Sequence, residues 1–163
     1  MTDWIVERLG EGVAPHELGL FVRSDAQLGR ARAAVEAAAV SFKVLDERIE
    51  GTSGFASVGL MHLAKGLEFR AVAVMACDDE VLPLQARIEE VGEDSDLKEV
   101  YDTERQLLYV ACTRARSTLH VSAVAEPVDG GAQPSRFLAE LGVPIADYDL
   151  AEDLETLELL GVN

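Results

Sequence analysis

The stretch Val72-Ala73-Val74-Met75-Ala76-Cys77-Asp78-Asp79-Glu80 decides the architecture. Its first six residues are apolar without alternation, the pattern of a strand covered on both faces inside a parallel sheet. Carboxylates follow where the strand leaves the sheet. Working outward, Leu18–Val22, Phe42–Leu45 and Ala56–Met61 are shorter apolar runs before it, and Leu119–Val124 is one after it. Helical patterns separate these runs. Residues 3–10 form one, and Ala26 to Ala39, capped by Ser24 or Asp25, a second. A third, from Leu97 to Arg114, repeats Leu97, Val100, Tyr101, Leu107, Leu108 and Ala111 at helical spacing. Ser135 caps a short last helix ending near Gly142. Residues 51–54 predict a turn, and residues 78–97 an acidic loop containing Pro83. Strands alternating with helices predict an α/β fold: a doubly wound, largely parallel sheet flanked by helices.

The chain has 163 residues, enough for one ordinary domain with a sizeable core. Hydrophobic residues make up 48% and charged residues 27%, a globular composition. No apolar run reaches the ~18 residues of a membrane span, and no basic-then-apolar leader is present. Cys77 and Cys112 stand alone in apolar segments, which disfavours a disulfide framework or a zinc site and suits a cytoplasmic protein. The net charge of −16 excludes a surface that holds nucleic acid all over. Much of the acid lies in residues 89–99 and 147–158, so the basic side chains are grouped elsewhere.

In doubly wound sheets, ligands sit beyond the carboxyl ends of the strands. Arg23, residues 62–68 and residues 78–80 are therefore the first candidates. Arg23, in Leu20-Phe21-Val22-Arg23-Ser24-Asp25, offers a planar, permanently charged fork at a strand end. A plain surface arginine paired with Asp25 or a helix carbonyl is the alternative. In Met61-His62-Leu63-Ala64-Lys65-Gly66-Leu67-Glu68-Phe69, Gly66 permits a tight turn. His62 and Lys65 can donate to phosphates there, and Glu68 can accept from a ribose hydroxyl. In Glu104-Arg105-Gln106-Leu107-Leu108-Tyr109-Val110-Ala111-Cys112-Thr113-Arg114-Ala115-Arg116, the cations gather at a helix end. They either serve a ligand or only offset the helix macrodipole.

Together and in this order, the three segments resemble the fourth, fifth and sixth motifs of superfamily 1 DNA helicases of the UvrD/Rep type. That family reads as an arginine after an apolar strand, then T-x-H-x-A-K-G-L-E-F, then E-R-R-L-x-Y-V-A-x-T-R-A. Pro134-Ser135-Arg136-Phe137-Leu138 is similar to the close of the same domain. The resemblance spans roughly residues 3–141. It implies the second RecA-like motor domain over residues 1–145, followed by an acidic tail helix over residues 146–163.

The resemblance also implies roles. Arg23 and Arg114 would reach the terminal phosphate of ATP, with Glu68 at the ribose beyond the Gly66 turn. His62 and Lys65 would lie along single-stranded DNA, and Tyr109 and Leu108 would pack the helix on the sheet. ATP and Mg would be held mainly by the N-terminal RecA-like domain of the same parent polypeptide. None of the lysines (Lys43, Lys65, Lys98) is followed by Ser or Thr, so the chain has no phosphate-binding loop of the G-x-x-x-x-G-K-[ST] type and is catalytically incomplete alone. Three departures stand out. Leu60 replaces the family's threonine, Gln106 replaces the second arginine of E-R-R, and the accessory insertion between the fourth and fifth motifs is missing. With the acidic surface, these leave a second reading open, a helicase-like interaction or regulatory module. Residues 78–80 also have the form of a magnesium-binding strand end, although in the family this place is an ordinary strand leading to an acidic loop.

Overall fold

The apolar runs become five parallel strands of one sheet in the computed structural model, which describes residues 1–46, 54–91, 94–124 and 133–140. The strands are β1 (Leu18–Val22), β2 (Phe42–Val44), β3 (Ala56–Leu60), β4 (Phe69–Val74) and β5 (Ala115–Val121), in the order β2-β3-β1-β4-β5. β1 lies at the centre, pairing Leu20 with Val58 of β3 and with Ala73 of β4. The helices are α1 (Thr2–Gly10), α2 (Asp25–Ala37), α3 (Gln85–Glu89), α4 (Asp94–Cys112) and α5 (Arg136–Glu140). Among the described residues, no helix is long and apolar enough to cross a membrane.

Two apolar layers hold the helices to the sheet. Ile5 of α1 and Ala31 and Val35 of α2 meet Leu18, Leu20, Val58 and Ala73 on one face. Leu108 and Ala111 of α4 and Phe137 of α5 meet Phe21, Phe69, Val72 and Val74 on the other. The sheet is thus apolar on both sides, as its uninterrupted runs require. At Gly19 the packing is tight enough that a Cβ would lie 2.8 Å from the Phe69 ring.

Several boundaries differ from the sequence expectation. β4 starts at Phe69 and leaves its ladder after Val74, because Ala76 adopts φ +57°, outside extended geometry. β5 starts at Ala115, which pairs with Phe69 despite the polar residues that follow it. The expected loop of residues 78–97 contains α3 and the first turn of α4. Tyr109, expected to pack beside Leu108, is 63% exposed: Glu104, Leu108 and Ala111 take the inward stripe of α4 and turn residue 109 to solvent. Residues 51–53 of the expected turn and the whole expected tail helix lie outside the described residues.

Candidate functional site

Segment 61–68 is the thread of the site. Leu60 ends β3 at the carboxyl edge of the sheet, and Phe69 begins β4 at the amino edge. Between them the chain makes a 3-10 turn, Met61–Ala64, with Met61 and Ala64 buried under α4. His62 and Lys65 therefore face outward and are exposed. Gly66 has φ +84°, a conformation other residues adopt only under strain, and it swings Leu67 and Glu68 toward β4. Leu60, where the family has threonine, packs against the apolar layer under α1 and α2.

Arg114 fastens this thread to the end of α4. Its Nε donates to the carbonyl of Val110 at 3.1 Å, Nη1 to the carbonyl of Leu67 at 3.3 Å, and Nη2 to Oγ1 of Thr113 at 3.1 Å. The Phe69 N–H donates to the Arg114 carbonyl at 2.9 Å, so the two motifs also meet through the backbone. Arg114 thus does cap its helix, as the macrodipole alternative expects. All these acceptors are neutral, however, and among the described residues it makes no ion pair.

A groove of about 440 Å³ opens here, lined by His62, Lys65, Thr103, Gln106, Leu107, Val110 and Arg114. It has the size of an ordinary small-ligand site. Arg8, Arg23, Arg30, Arg70, Arg87, Arg105 and Arg136 all face carboxylates. Among the described residues, Lys65 and Arg114, which line the groove, are in no such pair.

Arg23 stands apart from this groove. Its Nε and Nη2 each donate at 2.6 Å to the carboxylate of Glu104, whose side chain is wholly buried. Glu104 also accepts from the Leu84 N–H at 3.2 Å and from Arg87 at 3.1 Å. Burial pushes the Glu104 carboxyl up, but Arg23, Leu84 and Arg87 outweigh it and hold the group below the usual carboxylate range. Glu104 precedes Arg114 by ten positions, roughly 15 Å of helix rise. The structure brings His62, Lys65 and Arg114 to one groove, with Glu68 beside Arg114 at the same edge. It does not bring Arg23 to them. Nor do all candidates lie at the carboxyl edge: Gly66, Glu68 and Arg114 precede their strands.

Asp78 serves the fold. Its Oδ2 takes Arg30 at 2.6 Å and its Oδ1 takes the Val124 N–H at 2.8 Å, while Asp79 faces Arg136 at 4.0 Å. Sequence reasoning missed Glu104. Its one signal is an acidic residue on the inward stripe of α4, where only a paired carboxylate survives.

The UvrD-like helicase C-terminal domain family model matches residues 45–126. ATP-dependent DNA helicase UvrD1 of Mycobacterium leprae (strain TN) is 36% identical over 108 residues, 63% of this chain and 13% of that protein. ATP-dependent DNA helicase PcrA of Staphylococcus aureus (strain MRSA252) is 39% identical over 102 residues, 60% of this chain and 13% of that protein. The chain therefore spans about an eighth of the length of these curated relatives. The C-terminal domain of a possible DNA helicase from Lactobacillus plantarum WCFS1 matches in fold, with a TM-score of 0.53 and 23% identity, covering 85% of this chain and 71% of that one. The family match takes in half of the chain, including the A-K-G-L-E-F turn, α4 and Arg114, and on that ground this chain belongs to the UvrD-like helicase C-terminal domain family.

Proposed function

We propose that the chain is the second RecA-like motor half of an ATP-dependent DNA helicase, completing from across a cleft an ATP site held mainly by an N-terminal RecA-like domain. The observation that carries this reading is the Arg114 junction. One guanidinium, in no ion pair among the described residues, ties the T-R-A helix end to the A-K-G-L-E-F turn. Phosphoryl transfer is catalysed by positioning and by neutralising charge on the transferring oxygens, which a rigidly held arginine supplies. Arg114 and Arg23 meet the γ-phosphate, Glu68 accepts from the ribose, and Gly66 gives the turn its shape. His62 and Lys65 contact single-stranded DNA. Arg23 must leave Glu104 to act. The magnesium accompanying ATP belongs to the other half, since both Asp78 oxygens are already engaged. Burial pushes the Cys112 thiol up to about 11 and the Cys77 thiol higher still, so neither serves as a nucleophile.

The test is reconstitution. The isolated chain should hydrolyse no ATP, and the complete motor should hydrolyse it in a DNA-stimulated way that depends on Arg114. DNA-stimulated hydrolysis by the rigorously purified chain alone would overturn this reading.

A further inference from the structure

Glu104 carries more cations than one carboxylate needs. Arg23 of the β1 end binds both its oxygens, while Arg87 of α3 binds Oε1 and the Leu84 N–H binds Oε2. The two arginines are not equivalent. The Arg23 side chain is 11% exposed and that of Arg87 is 40% exposed. If Arg23 departed, each carboxylate oxygen would still hold a donor, and Arg87 would still balance the charge.

We propose that Glu104 is a positioning residue that parks Arg23 when no nucleotide is present, and that Arg87 takes over its carboxylate when Arg23 moves to a phosphate. This rests on reading Arg23 as a phosphate-contacting group. A buried carboxylate stripped of its only cation is strongly disfavoured, so a lone Glu104–Arg23 pair would lock. A reserve cation removes that lock. The fork of Arg23 pairs equally well with carboxylate and with phosphate, so a terminal phosphate can compete for it. Arg87, 40% exposed and already bonded to Oε1 at 3.1 Å, can draw closer to the carboxylate.

The experiment measures single-stranded-DNA-stimulated ATP hydrolysis by the complete motor carrying this chain, with Arg23→Ala, Arg87→Ala, Arg87→Lys, Glu104→Gln and the Arg87→Ala/Glu104→Gln double variant. Arg23→Ala should lower kcat ~10²-fold or more. Arg87→Ala should lower kcat roughly 10-fold by trapping Arg23, and Arg87→Lys should stay near wild type. Glu104→Gln, which removes the trap, should restore Arg87→Ala to within about 3-fold of wild type. A structural staple predicts the reverse, a double variant slower than either single one. The handover is overturned if Arg87→Ala turns over normally or if Glu104→Gln fails to rescue it. Normal turnover in Arg23→Ala would also overturn it, by removing the reading of Arg23 on which it stands. A second measurement needs no ATP: in melts of this chain, Arg23→Ala plus Arg87→Ala should lower the midpoint by more than the two single shifts combined. Simple additivity would show that Arg87 is no reserve.

Discussion

Arg114 donates through Nη1 to the carbonyl of Leu67 at 3.3 Å, across 47 positions of sequence. The bond places a permanent cation one residue from the carboxylate of Glu68, on the backbone of the turn itself. A residue that only capped its helix would have needed Val110 alone.

The first prediction follows from that double attachment. In the complete motor, Arg114→Ala should lower kcat by at least ~10²-fold, roughly 3 kcal/mol of barrier. The same change should cost about 0.5–1.5 kcal/mol of stability, because the bonds to Val110 and Leu67 are lost. Lysine should recover little turnover, since a point charge cannot reproduce the fork. Turnover and melting midpoint measured on one preparation separate these effects. A lowered midpoint with near-normal turnover would leave only the capping role.

A second prediction concerns Lys65, exposed and without an ion pair among the described residues. The chain should bind single strands weakly and with strong salt dependence, since its net charge of −16 repels phosphates elsewhere. Lys65→Ala should weaken binding and reduce the slope of log K against log salt by about 1. Fluorescence anisotropy across a salt series reads both. An unchanged slope would move the DNA track away from the groove.

The third is a pH effect. The folded carboxyl of Glu104 titrates below its ordinary value, so the folded state binds fewer protons than the unfolded state as the medium acidifies. The stability it contributes is present in full above ~4.3, the ordinary glutamate value, and is lost as pH falls through the depressed folded value. Midpoints of wild type and Glu104→Gln, compared from neutral to acid, should converge in that window, with the variant less stable at neutral pH. Parallel curves would mean that Glu104 is not the ionised partner of Arg23.

Asp78 yields the fourth. Asp78→Ala should destabilise the chain by ~2–3 kcal/mol in urea unfolding, because Arg30 and the Val124 N–H both lose their charged acceptor. Arg30→Ala should cost at least as much, since it leaves the buried Asp78 carboxylate without the cation at 2.6 Å. Millimolar magnesium should not shift the wild-type midpoint. A magnesium-dependent shift abolished in Asp78→Ala would revive the metal reading of residues 78–80.

Sequence pattern located the strands, α1, α2, α4 and α5, because burial writes a period of two or 3.6, or an uninterrupted run; α3, with no buried residue, left no such mark. Boundaries slipped where another force ruled. Ala76 turns the chain out of β4 by its positive φ, and the polar Arg116 and Ser117 are carried into β5 because Ala115 and Thr118 on either side pair with β4 across a register shift. The groove was legible as two of the three motifs: the fold brings His62, Lys65 and Arg114 together, and Arg23 is not in its lining. The bond of Arg23 to Glu104 was not legible, because its partners lie 81 positions apart and only the folded sheet brings β1 beneath α4. The outward turn of Tyr109 was missed for a simpler reason: an aromatic residue beside Leu108 looks like core until the stripe containing Glu104 is known.

The path from Leu60 to Phe69 has a mechanical consequence. It must descend the depth of β4, about 20 Å, and step sideways past β1, about 10 Å more. The 3-10 turn Met61–Ala64 sits under α4, the Leu67 N–H closes back on the Ala64 carbonyl at 3.1 Å, and Arg114 holds the Leu67 carbonyl, so the connection is pinned along its length. A segment pinned in this way shifts as one piece. If His62 is pulled by a moving strand, the pull arrives at Glu68 unless Gly66 bends to take it up. In a motor that must make stepping and hydrolysis keep time, this segment would act as the tie-rod between the two.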